Sequence, residues 1–310
     1  MNIIFMGTPE FAVPTLEMLH DNGFDIKLVV TQPDKLSGRG KKLKKSDVKI
    51  KAEELGLEIF QPEKIKCKEN VEVLRKYTPD VIVVVAYGQI LNKKILDLPK
   101  YGCINVHASL LPKLRGAAPL NWAIINGEKT TGVTTMLMDG GIDTGDMLLK
   151  SEIDIDDNMN VGELHDKLMI QGAGLLIDTL KCIERNNIQK EKQDDSLSNY
   201  APMLNKENTR INWNDSTKNI HNLIRGLSPW PGAYFNYDGK KVKVYRSSCI
   251  DDKTEYEPGF VLKADNNGIY IASTDGVVII EEFQMPGKKK MSVSDYLRGN
   301  IFPEKVLLED

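Results

Sequence analysis

Cysteine is scarce in this 310-residue chain: Cys67, Cys103, Cys182 and Cys249 lie far apart, and no CxxC pair occurs. Zinc ribbons and disulfide frameworks need such pairs, so neither is expected. Long apolar runs are also missing, since no stretch reaches the ~18 residues of a membrane-spanning helix. The opening Met-Asn-Ile-Ile-Phe-Met-Gly lacks the basic start, apolar stretch and cleavage site of a secretory leader. A cytoplasmic location is the expectation. Several enzyme signatures are absent too. The first strand-to-helix turn reads Gly7-Thr8-Pro9-Glu10, with one glycine and an acid where a dinucleotide fingerprint places GxGxxG. Neither a Walker loop nor a GxSxG elbow is present. Asp154-x-Asp156-x-Asn158 begins like a calcium loop, but Met159 stands at its glycine position and His165 at its twelfth. The four histidines, His20, His107, His165 and His221, show no metal-ligand spacing, so no metal is expected.

What is present suits a soluble protein of two domains: 41% of residues are hydrophobic and 27% charged. The net charge of −3 conceals an asymmetry. From Lys35 to Lys51 there are eight basic residues (Lys35, Arg39, Lys41, Lys42, Lys44, Lys45, Lys49, Lys51) against Asp47 alone, giving +7 there and −10 elsewhere. Such a segment can draw a polyanion to one face.

The first half alternates short apolar strands with helical spacing. Strands are expected at Asn2–Met6, Ile26–Thr31, Asp80–Ala86 and Gly102–His107, with extensions at Thr134–Met138 and Met147–Ser151. Helices are expected at Phe11–Leu19, Ser46–Leu55, Asn70–Tyr77 and Val161–Glu184, and the basic segment is expected as a loop. The run Val81–Val85 is apolar throughout, as a parallel strand covered on both faces requires. This rhythm predicts an α/β domain over residues 1–187, with a doubly wound, mostly parallel Rossmann-like sheet and its site at the carboxyl ends of the strands. Residues 188–206 have linker composition. Over 207–310 one helix precedes five short strands separated by turn pairs such as Asp238-Gly239 and Asn267-Gly268. That pattern predicts a small β-barrel of the oligonucleotide-binding (OB-like) type.

Chemistry concentrates in two stretches. Asn105 and His107 are two apart and share one face of a strand as it runs into a loop shaped by Pro112 and Gly116. A second polar loop, Met138 to Asp146, carries three glycines and Asp143. An amide, an imidazole and a carboxylate suit acyl transfer to an amine. Asn105 can donate to the oxyanion, His107 can bond the same oxygen or relay a proton, and Asp143 can hold the imidazolium and take the amine's proton. The same residue types also serve as ordinary turn formers, and composition alone leaves both readings open.

Taken together, Asn105-Val106-His107-Ala108-Ser109-Leu110-Leu111-Pro112, Arg115-Gly116-Ala117-Ala118-Pro119 and Gly141-Ile142-Asp143-Thr144-Gly145-Asp146 resemble the folate-dependent formyltransferases. The opening Phe5-Met6-Gly7-Thr8-Pro9-Glu10-Phe11-Ala12 and the later Arg225-Gly226-Leu227-Ser228-Pro229-Trp230-Pro231-Gly232-Ala233 extend the resemblance over essentially the whole chain. It implies an enzyme with an Asn105–His107–Asp143 catalytic set that uses 10-formyltetrahydrofolate without metal. It also implies a folate groove near Tyr87, Gly88, Gln89 and Ile90, with Ser109, Leu110, Leu111 and Pro112 and with Met138, Asp139 and Gly140. Ser37-Gly38-Arg39-Gly40-Lys41-Lys42-Leu43 is similar to the inserted loop of the members that act on methionyl-tRNA, where Arg39 matches the key arginine. The partner implied is initiator methionyl-tRNA, met by Arg39, Lys41, Lys42 and Lys44 from this loop and by Lys240, Lys241, Lys243 and Arg246 from the second domain. A monomer is expected. One departure is Ser46-Asp47-Val48-Lys49, where the family pattern has a proline before the valine. Two alternatives remain: the same chemistry on an amino-sugar nucleotide, and a non-catalytic RNA-binding protein on this scaffold.

Overall fold

The computed structural model describes residues 1–37 and 42–308. They divide into two compact units, one of residues 1–116, 131–153 and 165–200, the other of 117–130, 154–164 and 201–310.

In the first unit β1 (Asn2–Gly7) leads through a short 3-10 turn into α1 (Val13–Asp21), then β2 (Asp25–Val30). The basic segment follows. It is not simply a loop: β3 (Lys35–Ser37) and β4 (Lys42–Lys44) form an antiparallel ladder, with Leu36 opposite Leu43. Burial patterning could not reveal this pairing, because Lys35, Leu36, Leu43 and Lys44 are all exposed. Next come α2 (Asp47–Glu54), β5 (Ile59–Phe60), α3 (Lys68–Lys76), β6 (Val81–Val85), α4 (Lys93–Leu96), β7 (Cys103–His107) and the two-residue β8 (Arg115–Gly116). Asp47, which stands where the family pattern has a proline, is the first residue of α2, and Ser46 before it caps the helix, accepting from the Lys49 N–H at 3.1 Å. After α5 (Pro119–Ile125) come β9 (Thr130–Leu137), β10 (Met147–Asp154), α6 (Val161–Glu184) and β11 (Tyr200–Ala201).

The seven-stranded sheet runs β10-β9-β7-β6-β1-β2-β5. β1, β2, β5, β6 and β7 pair in parallel, and β9 joins β7 antiparallel. This is the mixed, mainly parallel sheet expected from the sequence. Every residue of β6 is buried, and each such side chain contributes roughly 1.5–3 kcal/mol of transfer free energy. Gly132 and Gly145 are fixed by close approach, since a Cβ there would collide with the carbonyls of Ser151 and Leu137 respectively.

In the second unit α7 (Thr217–Gly226) precedes β12 (Ala233–Tyr237), β13 (Lys240–Ile250), β14 (Val261–Asp265), β15 (Gly268–Ala272), β16 (Val277–Gln284), β17 (Met291–Ser292) and α8 (Val293–Leu297). The strands form an antiparallel sheet in the order β12-β13-β16-β15-β14, with β17 on β16. Its core gathers Trp213, Ile224, Phe235, Val244, Ile271, Phe283 and Phe302. Residues 117–130, with α5, and 154–164, with the first turn of α6, belong to this unit, although they lie within the stretch 1–187 read as one domain. Asn121 donates to the Gly226 carbonyl at 2.8 Å, and the buried Arg225 donates to the carbonyls of Asp156 and Met159.

Candidate active site

Strand β7 carries Asn105 opposite Val84 on one side and Met136 on the other, and ends on His107 opposite Thr134. Asn105 is half-buried and His107 is buried. The imidazole Nε2 lies 3.0 Å from the carbonyl oxygen of Leu114. A carbonyl can only accept, so Nε2 carries the proton. That assigns Nδ1 to the other side, where Asp143 Oδ2 stands at 3.6 Å. The same Oδ2 accepts from the Gly116 N–H at 2.9 Å. The loop 114–116 thus touches both members of the pair.

The two loops that meet at His107 hold uncommon backbone angles. Leu114 has φ 57° and Asp143 φ 53°. The left-handed region costs a leucine roughly 1–2 kcal/mol, while Asp and Asn tolerate it better. Asp139 steadies the second loop from within, its Oδ1 accepting from the Gly141 N–H and the Thr144 hydroxyl.

The structure joins His107 to Asp143, and alternation along β7 turns Asn105 toward the same face as His107. The residues implied for folate divide by accessibility. The Tyr87 ring is buried in the core with Leu91 and Ile95, and Met138 packs on that same cluster. Burial pushes the Tyr87 hydroxyl pKa upward, and among the described residues this hydroxyl has no hydrogen-bond partner. Gly88, at φ 85°, follows Ala86 at φ 46°, turning the chain out of β6 so that Gly88 and Ile90 are exposed. The side chain of Gln89 is engaged structurally, accepting from the Ile65 N–H and donating to the Pro62 carbonyl. Ser109 and Leu111 are buried; the Ser109 hydroxyl donates to the Lys113 carbonyl. Leu110 and Pro112 are half-buried, and Asp139 and Gly140 are exposed.

Of the residues implied for RNA, Arg39 and Lys41 lie outside the described residues, and Lys42 is described in its backbone alone. Lys44 is exposed. Three other cations of the basic segment are tied into the fold: Lys45 to Glu53 at 2.7 Å, Lys49 to Asp34 at 2.6 Å, and Lys51 to Glu17 and Glu54 at 2.8 and 2.6 Å. The Lys49 and Gln61 hydrogen bonds hold the Asp34 carboxyl below the usual range. On β13, Lys241 and Lys243 share the face opposite buried Val242 and Val244. Lys241 Nζ sits 3.4 Å from the Tyr234 ring centroid. Partial burial and the nearby Lys243 and Lys206 lower its pKa. Lys243 donates to the Pro231 carbonyl, Lys240 lies 3.5 Å from Asp238, and Arg246, past a β-bulge, is paired with Glu281 at 2.7 Å.

Two residues at this site went unmarked in the sequence. Gln193, within the stretch 188–206 read as linker, donates to the carbonyls of Asp143 and Gly145, both at 2.8 Å. Arg115 donates from Nε to Gln193 Oε1 at 2.9 Å and from Nη2 to Asp195 at 2.8 Å. Arg115 sits in a motif that carries the resemblance, so a signal for it exists; a lone glutamine in a polar run gives no periodic signal. Among the described residues no group of His, Cys, Asp and Glu is placed to hold a metal ion, and no helix is long and apolar enough to cross a membrane.

A family profile described as formyl transferase matches residues 1–180, and one described as formyl transferase, C-terminal domain, matches residues 203–300. The chain is 53% identical to the methionyl-tRNA formyltransferase of Clostridium acetobutylicum, covering 100% of both chains. It is likewise 53% identical to that of Clostridium tetani, again over 100% of each. Among solved structures it is similar to WlaRD, a sugar 3N-formyl transferase crystallised with dTDP and 5-N-formyl-THF. There the identity is 23% and the TM-score 0.69, over 93% of this chain and 99% of that one. At that identity the likeness concerns the fold.

Proposed function

The chain belongs to the methionyl-tRNA formyltransferase family, and from that premise we propose that it moves the formyl group of 10-formyltetrahydrofolate onto the free amino group of initiator methionyl-tRNA. The observation that carries the chemistry is His107, held between the Leu114 carbonyl and the Asp143 carboxylate, on a strand whose Asn105 faces the same way.

The folate supplies a formyl carbon already bonded to a nitrogen that can leave. As the amine adds to it, the Asn105 amide donates to the oxygen on which negative charge grows; one such donor is worth ~2.7–4 kcal/mol. As an imidazolium, His107 gives its Nδ1 proton to the departing nitrogen while Nε2 stays on the Leu114 carbonyl. Asp143 stabilises the imidazolium and takes the amine's proton, directly or through water. No side chain is acylated. The turn through Gly88 and Ile90, with Met138 packed on the Tyr87 cluster, is suited to receive the folate. Ser109, Leu110, Leu111 and Pro112, which follow β7 in the chain, line the folate site together with Asp139 and Gly140. Arg39, Lys41, Lys42 and Lys44 meet the acceptor end of the RNA, while Lys240, Lys241, Lys243 and Arg246 meet phosphates. The protein works as a monomer in the cytoplasm.

The test is direct. The protein is incubated with 10-formyltetrahydrofolate and either methionyl-tRNA or an amino-sugar nucleotide. Formyl on the methionyl-tRNA alone is the expected outcome; formyl on the sugar nucleotide, or on neither, overturns the proposal.

A further inference from the structure

Between Glu191 and Leu197 the chain is exposed at every residue but Gln193, which is half-buried. Its carboxamide is fully used. Nε2 donates to the carbonyl oxygens of Asp143 and Gly145, and Oε1 accepts from Arg115 Nε. The two carbonyls belong to the residue whose carboxylate faces His107 and to its second neighbour, and Asp143 itself sits at a left-handed φ of 53°. An amide N–H pair spanning carbonyls two residues apart fixes the peptide plane that follows Asp143 and the one that follows Gly145, and so constrains the direction in which the Asp143 side chain leaves the backbone. The third bond ties this clamp to Arg115, which lies between Leu114, the carbonyl partner of His107, and Gly116, the N–H partner of Asp143. Neighbouring bonds anchor the same strip of chain: Glu191 exchanges backbone hydrogen bonds with Met147 at 2.8 and 2.9 Å, and Arg115 N–H donates to the Asn199 carbonyl at 3.0 Å.

We propose that Gln193 is a positioning residue that sets the Asp143 carboxylate against His107. It touches neither substrate and acts through the loop. The proposal rests on the formyl-transfer reading above. Gln193→Glu is the sharpest probe, because it keeps the length and the acceptor for Arg115 but replaces both N–H donors with an oxygen facing two carbonyls. Gln193→Met keeps the volume and places no charge there.

Both variants and the wild-type protein are assayed for kcat and for KM toward each substrate, the formyl-folate and the methionyl-tRNA, with a melting curve for each protein. Misplacement of a catalytic group by about 1 Å costs on the order of 100-fold. The expected result is a fall in kcat of about 10- to 100-fold with both KM values close to wild type and a melting curve close to wild type. The same changes made in an Asp143→Asn background should have little further effect, since the carboxylate being oriented is already gone. Wild-type kcat in both variants, a change confined to KM, or a full additional loss in the Asp143→Asn background overturns the assignment while leaving the formyl-transfer reading intact. An inactive wild-type protein instead overturns that reading, and the assignment with it. Should Gln193→Glu not fold, the Gln193→Met comparison decides.

Discussion

Asp143→Asn isolates one charge at the centre of the proposed mechanism. Two opposite charges 3.6 Å apart attract by about 4–5 kcal/mol at an effective dielectric of ~20 and by about 1 kcal/mol in bulk water. The His107 and Asp143 side chains are only 6% and 18% accessible, which favours the larger figure. Allowing for relaxation, a loss of about 2–4 kcal/mol in the transition state corresponds to a rate about 30- to 1,000-fold lower. The neutral amide keeps its own acceptor oxygen for the Gly116 N–H, so the loop stays tied and stability changes by less than about 1 kcal/mol. Single-turnover formylation with both substrates saturating measures the effect free of product release. His107→Ala in the same background should then cost much less than it does alone, because the pair works as a unit. A near wild-type single-turnover rate for Asp143→Asn would refute the assignment of that carboxylate.

Gly145→Ala should lower both melting temperature and formylation, because its Cβ would be driven into the Leu137 carbonyl; overpacking of this kind costs ~1–3 kcal/mol or more. Lys241→Gln combined with Lys243→Gln should weaken RNA binding and reduce its salt slope by about 0.7–0.9 for each phosphate no longer neutralised, measured from low to physiological salt; an unchanged slope removes β13 from the RNA face. Arg39→Ala should sharply lower methionyl-tRNA formylation while folate affinity, read by fluorescence titration, stays put. Asp34 has a folded pKa below its unfolded value, so it adds stability above about pH 4 that diminishes as pH falls further. Asp34→Asn should therefore flatten the acid limb of a melting-temperature profile, and an unaltered limb would discount the Lys49 pairing.

How much of the fold is legible in the sequence depends on whether a residue's role follows from its neighbours in the chain. Composition alone marks a doubly covered strand at Asp80–Ala86, and it appears one residue shorter at each end; spacing marks a helix at Val161–Glu184, and it appears with those bounds. His107 and Asn105 are visible because a strand's alternation puts them on one face. The role of Gln193 is not, since it depends on two carbonyls about fifty residues earlier, and a polar run bracing a loop has the same composition as one joining domains. Residues 117–130 belong by position to the first domain and by packing to the second. Their fit to α7 depends on Gly226, whose lack of a side chain leaves room for Ile125 and Asn121, and no local pattern reports that. In the basic segment a count of charges overstates what is free, because Lys45, Lys49 and Lys51 are paired with neighbouring carboxylates.

The backbone angle at Asp143 has a consequence for how this position can change. Glutamate would preserve the charge and lengthen the reach by one methylene, and a substitution table scores it as the mildest replacement. At φ 53° the ordering is different, because Asn shares the tolerance of Asp for left-handed backbone and Glu does not. Charge and shape therefore pull toward different neighbours in sequence space. Every single step away from Asp143 forfeits either the carboxylate or the conformation that aims it, which leaves the position no gradual route to an alternative.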